Sequence, residues 1–171
     1  KIMAVEEHRK KGREENVSLR CAIITVSDTR TLETDESGAE IAQQLDEDGH
    51  QVLERTVVPD EPDRISVVLR HWLAAEVDVV LLNGGTGVAA RDGTIEVIEQ
   101  FLDRDIPGFG ELFRMLSYEQ VGAAAMLSRA SGGVAQGKAV FGLPGSRRAV
   151  QLGMEKLIIP ELRHIMYEVR K

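Results

Sequence analysis

Cysteine is nearly absent: Cys21 is the only one in 171 residues. An intramolecular disulfide is therefore impossible, a cysteine zinc site is excluded, and a reducing cytoplasm suits the chain. No apolar run approaches the roughly 20 residues that a membrane helix requires, and the amino end lacks the apolar core of a secretion signal. A soluble, cytoplasmic protein is expected. Basic charge is not in excess either. The 21 Lys and Arg against 28 Asp and Glu leave a formal net charge of -7, whereas a nucleic-acid surface calls for a dominant basic stripe. Neither nucleic acid nor membrane is expected as a partner. An acidic protein that handles phosphates must gather positive potential locally, from backbone amides, a few arginines and bound metal.

At 43% hydrophobic and 29% charged residues, the chain is long enough for one well-buried core and short for two. Residues 1–18 hold few apolar side chains and read as a flexible charged arm, either a frayed helix, a disordered segment or a basic arm for a partner. The domain is expected over 19–171.

Past the arm, strand and helix patterns alternate. "CAIITV" (21–26) and "VDVVLL" (77–82) are continuous apolar runs, as expected of strands covered on both faces. "QVLERTVV" (51–58) and "KAVFGL" (138–143) read as further strands. Helices are expected from Ser37 to Asp48, and around Ile65, Val68, Leu69 and Trp72, which share one face. Others are expected on Ile95, Ile98, Phe101 and Leu102, from Pro107 through Leu112, Met115 and Leu116, and on Val150, Met154, Leu157 and Ile158. The alternation predicts a single three-layer α/β/α domain, Rossmann-like, with a mostly parallel central sheet. No internal repeat or linker is visible.

The polar residues then fall into place. Ser27 and Asp28 follow the first strand, Asp60 the second, Asn83 to Asp92 the third, and Gly145 and Ser146 the strand ending at Leu143. Ligands of open parallel sheets bind at the carboxyl ends of the strands, where such loops converge. Four loops thus point to one cleft.

The densest of them is "LLNGGTGVAARDGT" (81–94). Gly85, Gly87 and Ala90 fit G-x-G-x-x-A, but that dinucleotide fingerprint follows the first strand and opens a helix, whereas Asp92 and Gly93 resist one. No G-K-[ST] follows, so a phosphate-loop ATPase is disfavoured. Two readings of the loop remain: exposed N–H groups that hold a phosphate chain, or a tight turn without a ligand. Asp92 or Thr94 could cap the next helix, and Asp60 the one begun by Pro62. Alternatively, Asp60 and Asp92 on adjacent loops form a hard-cation site for Mg²⁺.

"NGGTGVAARDGT", "PGFGELFRMLSYEQVG", "MLSRASGGV" and "LPGS" resemble, in order and spacing, the signature segments of the MoaB/Mog family of molybdenum cofactor biosynthesis, closer to the MoaB branch. The similarity runs from about Leu19 to Leu162. It implies a molybdopterin adenylyltransferase that transfers AMP from Mg-ATP to the terminal phosphate of molybdopterin and releases pyrophosphate. The alternative within the same pathway is a non-catalytic molybdopterin carrier or scaffold; a nucleotide-binding protein of another pathway is a third reading. By position, the resemblance implies Asp60 and Asp92 as catalytic and magnesium-binding, and Gly84, Gly85, Thr86 and Gly87 as the nucleotide-phosphate loop. Asn83, where the family usually has threonine, belongs to that loop. Pro144, Gly145 and Ser146 are implied on the nucleotide side, and Ser27, Asp28, Ser128 and Arg129 on the pterin side. Homotrimers or hexamers and a molybdenum-inserting partner are further implications.

Other residues carry less. Glu111 could reach the pterin pocket or be an exposed helical glutamate. Arg129 or Arg91 could neutralise a phosphate. His8, His50, His71 and His164 show no metal-ligand spacing and read as surface or core histidines, and Cys21 reads as core.

Overall fold

The computed structural model of the chain describes residues 2–14 and 17–171. Four strands, β1 (Arg20–Val26), β2 (Gln51–Val58), β3 (Val79–Asn83) and a later one, β6 (Lys138–Leu143), lie parallel in the order β2-β1-β3-β6. The apolar runs alternate between two faces, as the period-2 geometry of a strand dictates. Cys21 and Ile23 of β1, and Val79 and Leu81 of β3, belong to one core cluster. Ala22 and Ile24, and Val80 and Leu82, belong to the other.

The first cluster is covered by α2 (Glu36–Glu47), α5 (Pro107–Val121) and a long carboxyl-terminal helix. That helix runs as α6 (Arg147–Gly153), a π-turn segment (Met154–Ile158) and α7 (Ile159–Val169). The second cluster is covered by α3 (Pro62–Ala74) and α4 (Thr94–Phe101). The expected three layers and mostly parallel sheet are therefore present. The chain leaves β1 into α2 on one face and β3 into α4 on the other. Loops that diverge in this way open a crevice between adjacent strand ends.

Two features differ from the sequence expectations, and a third concerns the amino-terminal arm. The sheet continues past β6 with β5 (Ser131–Ala135), antiparallel to β6, and β4 (Arg104–Asp105), antiparallel to β5. Neither carries a strand signal, because β4 is two residues long and β5 opens "SGG", a pattern of low β propensity. The buried face of α5 is Phe109, Gly110, Phe113 and Ser117, whereas Leu112 and Met115 are exposed. Aromatic packing decides that phase: Phe109 meets Phe141 edge to face at 4.9 Å, a contact worth ~0.5–1.5 kcal/mol beyond burial. Finally, Ile2–Glu14 forms helix α1, which lies on α7 with His8 and Arg9 paired to Glu168 and Glu161. Lys1, Glu15 and Asn16 of the expected arm lie outside the described residues. His8 and His164, far apart in sequence, meet at that seam. Cys21 is fully buried, and its thiol pKa is pushed up to about 12 by desolvation. Among the described residues no helix is long and apolar enough to cross a membrane.

Candidate functional site

The loop after β3 turns at two left-handed residues, Gly84 (φ +89°) and Gly85 (φ +62°). A side chain at Gly84 would meet the Val26 carbonyl oxygen at 2.2 Å, so only glycine lets β3 leave so close to the end of β1. The loop is pinned on both sides: the Gly84 amide donates to Leu143 O (3.0 Å), and the Thr94 amide to Gly85 O (3.1 Å). The loop after β6 is held against it. Gly145 O accepts from Ser37 Oγ (2.6 Å) and from Arg30 (3.2 Å), while Ser146 Oγ caps α6 by accepting from the Ala149 amide.

Between these loops lies a cleft of about 570 Å³. It gathers Ser27, Asn83, Gly84, Gly85, Thr86, Gly87, Asp92, Ser128, Pro144, Gly145 and Ser146 from four separate segments. Most of the expected site residues are thus brought together by the strand ends. Asp28, Asp60, Arg129 and Glu111 are not among its lining residues. Arg129 and Glu111 line a neighbouring cleft of about 460 Å³, where Arg129 is paired with Glu96 at 2.6 Å.

Asp60 and Asp92 lie against the glycines. A Cβ at Gly85 would come within 2.8 Å of Asp60 Oδ2 and 2.5 Å of Thr94 Oγ1, and one at Gly87 within 2.6 Å of Asp92 Oδ2. The space that side chains at Gly85 and Gly87 would need is therefore taken by Thr94, Asp60 and Asp92. Neither serves as a helix cap. The N-caps of α3 and α4 are Glu61 and Gly93, and neither makes a side-chain capping bond. Asp92 Oδ2 instead accepts from the Ala89 amide within its own loop (2.9 Å).

Asp60 is 9% exposed, and its Oδ1 has no hydrogen-bond partner; nor has the buried Thr94 Oγ1 beside the same glycine. Burial raises the pKa of Asp60, the Gly93 amide partly offsets this, and the negative charges of Asp92 and Asp28 raise it further. Asp28 has the opposite fate. Arg91 grips it with two bonds of 2.7 and 2.9 Å, and the Asp60 amide donates to it at 3.0 Å. Its pKa falls to about 2, chiefly through the Arg91 bond. Asp28 thus stays ionised and braces the backbone of Asp60 rather than facing the cleft.

A hard divalent cation fits this donor set: oxygen ligands, a buried carboxylate oxygen without a partner, and like charges whose repulsion a cation relieves. Asp28, Asp60 and Asp92 do not converge as three ligand atoms within 4.8 Å of one another. The fit is therefore to an ion held by one or two carboxylates plus other oxygens, the habit of Mg²⁺.

Sequence reasoning missed the support beneath the loop. Asn83, fully buried at the end of β3, donates from Nδ2 to Thr25 Oγ1 (2.9 Å), and Thr25 donates to Asp35 Oδ2 (2.7 Å). Arg55 donates to the same carboxylate (3.1 Å), whose other oxygen caps α2 through the Gly38 amide. Arg30 on the cleft wall was missed as well. Its only signal is a place in "SDTR", just beyond β1.

Residues 22–164 match the protein family described as "Probable molybdopterin binding domain". Two bacterial relatives named molybdenum cofactor biosynthesis protein B, from Halalkalibacterium halodurans and Bacillus subtilis, are each 51% identical to this chain, with 99% of both chains covered. The crystal structure of the tungsten cofactor synthesizing protein MoaB from Pyrococcus furiosus superposes with a TM-score of 0.83 at 36% identity, covering 90% of this chain and 98% of that one.

Proposed function

Because the chain belongs to the MoaB family of molybdenum cofactor biosynthesis proteins, we propose that it binds molybdopterin and adenylylates it with Mg-ATP. The observation that carries this reading is the state of Asp60: nearly buried, with one oxygen unpartnered and two further carboxylates raising its pKa. Groups whose pKa is shifted by burial and by neighbouring like charges cluster at functional sites, and a bound cation would relieve both effects here.

In this reading a terminal phosphate oxygen of the pterin attacks the α-phosphorus of ATP. One P–O bond forms, the bond to the β-phosphate's bridging oxygen breaks, and pyrophosphate leaves. Anions must be brought together, so the protein supplies charge compensation and positioning. Asp60 and Asp92 would hold the ion, which when bound neutralises phosphate charge. The amides of Gly85, Thr86 and Gly87 act as fixed donors toward the nucleotide phosphates, each such charge-assisted bond worth ~1.5–3 kcal/mol, while the Gly84 amide is taken by Leu143 O. Pro144 to Ser146 form the opposite wall, with Arg30 as the cleft's cation. Ser27 and Ser128 take the pterin side, and Asp28 acts as a positioning residue for Asp60. Arg129 and Glu111, in the adjoining cleft, are assigned to the far end of the substrate.

The family resemblance and one surface feature support self-association, as a trimer or hexamer. Leu112, Met115, Tyr118 and Val121 of α5, with Met126 and Leu127 of the following 3₁₀ turn (Gly122–Leu127), form a run of exposed apolar side chains. Leu127 also lines the cleft, so assembly would border the site. A cytoplasmic location and delivery of product to a molybdenum-inserting partner complete the proposal.

The test is incubation of the purified chain with molybdopterin and Mg-ATP. Adenylylated pterin with an equal amount of pyrophosphate is expected. Tight pterin binding without either product would replace the enzyme by a carrier.

A further inference from the structure

Two histidines far apart in sequence meet where α1 lies on α7. Nδ1 of His8 is 2.9 Å from Oε1 of Glu168, and Nε2 of His164 is 3.8 Å from the same oxygen. The three residues offer ligand atoms that all lie within 4.8 Å of one another, and among the described residues no other group of three or more His, Cys, Asp or Glu does so.

The surroundings are built as a metal site requires. His164 and Glu168 are one turn apart on α7 and so share a face. Glu161, one turn earlier, accepts from Nδ1 of His164 at 2.9 Å, which fixes the tautomer whose Nε2 lone pair is free. A carboxylate behind the ring is the usual support of a metal-bound histidine. Glu161 is itself paired with Arg9 of α1, so both helices hold it.

We propose that His8, His164 and Glu168 bind a borderline divalent transition-metal ion, of which zinc is the type, and that the ion staples α1 to α7. Two imidazoles and one carboxylate select Zn²⁺, Co²⁺ or Ni²⁺ over Mg²⁺. The staple has a structural purpose. Ile2 and Met3 of α1 are 77% and 82% exposed, so apolar burial contributes little to holding the helix and the seam is largely ionic. One competitor is present: Lys171 Nζ donates to Glu168 Oε1 at 2.7 Å. Both side chains are more than two-fifths exposed, and exposed pairs of this kind are weak, so a divalent ion displaces the lysine.

The experiment strips the full chain with a chelator and titrates it with Co²⁺ alone, followed by visible absorption, with Zn²⁺ displacement by calorimetry. One ion per chain is expected, with a nitrogen-ligand spectrum that excess Mg²⁺ leaves unchanged. His8→Ala and His164→Ala should each weaken binding at least ~10-fold, and Glu161→Gln, which loses both its support of His164 and its pairing with Arg9, ~10-fold. Zn²⁺ should slow tryptic removal of α1 in the native chain and not in His8→Ala. Absence of stoichiometric Co²⁺ uptake, or uptake that His8→Ala leaves intact, overturns the site; equal digestion of α1 with and without Zn²⁺ overturns the staple.

Discussion

The carboxylate of Asp60 occupies the space that a side chain at Gly85 would need. An added Cβ would lie 2.8 and 2.9 Å from its two oxygens. Gly85→Ala should therefore push Asp60 out of position as well as strain a residue at positive φ, a strain of order 1–3 kcal/mol. Adenylylation is expected to fall at least ~10²-fold while the chain stays folded. Gly137→Ala is the control: its φ is +73° but nothing lies within 4 Å, so it should lose stability and keep activity. Equal activity loss in both would mean that backbone strain, not the displaced carboxylate, is responsible.

Asp92→Asn preserves shape and hydrogen bonding to the Ala89 amide through its side-chain oxygen, but removes a charge. Turnover should drop by roughly 10²- to 10³-fold, the scale for losing one electrostatic stabiliser. Raising Mg²⁺ should recover part of it. Unchanged pyrophosphate release would remove Asp92 from the reaction.

The raised pKa of Asp60 ties function to stability. Above its ordinary value of 3.8, the folded chain keeps this proton longer than the unfolded chain does. Stability therefore declines as pH rises from that value through the folded pKa, and stays lower above it. Asp60→Asn cannot ionise, so in the absence of Mg²⁺ it should melt higher than the native chain near neutral pH, yet be inactive. The gain should vanish at about pH 3, where Asp60 is protonated in both states. A thermal shift series over pH checks this, and a gain independent of pH contradicts it.

Asp35 joins three segments: it accepts from Thr25 and Arg55 and caps α2. Its side chain is 1% exposed and that of Arg55 26%. Asp35→Ala leaves the arginine without its charge partner, and a loss of about 3–5 kcal/mol is expected in urea unfolding. Because Thr25 also holds Asn83, nucleotide affinity should fall as well. A loss below about 1 kcal/mol would show that solvent already screens the pair.

If the α5 ridge joins copies of the chain, Met115→Lys should shift the species seen by sedimentation toward the monomer. Met115 is 55% exposed, so the substitution itself has little to disturb within one chain. A native chain that sediments as a monomer would refute the assembly directly.

Much of the site was legible because its residues are local. The period-2 and 3.6 patterns assign strands and helices, and in a parallel sheet the residues just after each strand must reach the same edge. Ser27, Asn83 to Gly87, Asp92 and Pro144 to Ser146 could be placed together on that ground. Arg129 and Glu111 could not be assigned this way, because one follows the 3₁₀ turn and the other sits on α5. Which cleft they line depends on how α5 docks. The docking in turn rests on Phe109 and Phe141, 32 positions apart in the chain.

By itself, then, the sequence determined the layer architecture, the glycine loop and the identity of the acidic residues at the rim, since these follow from near-neighbour periodicity and backbone sterics. Tertiary structure alone decided which charges meet. Asp28 was drawn to Arg91 and away from the cleft, Asp60 was left buried without a cap to make, and His8 was carried to His164 across the whole length of the domain. Charge–charge energies depend on separation in space and on local solvent access, and neither quantity is written in the order of the residues.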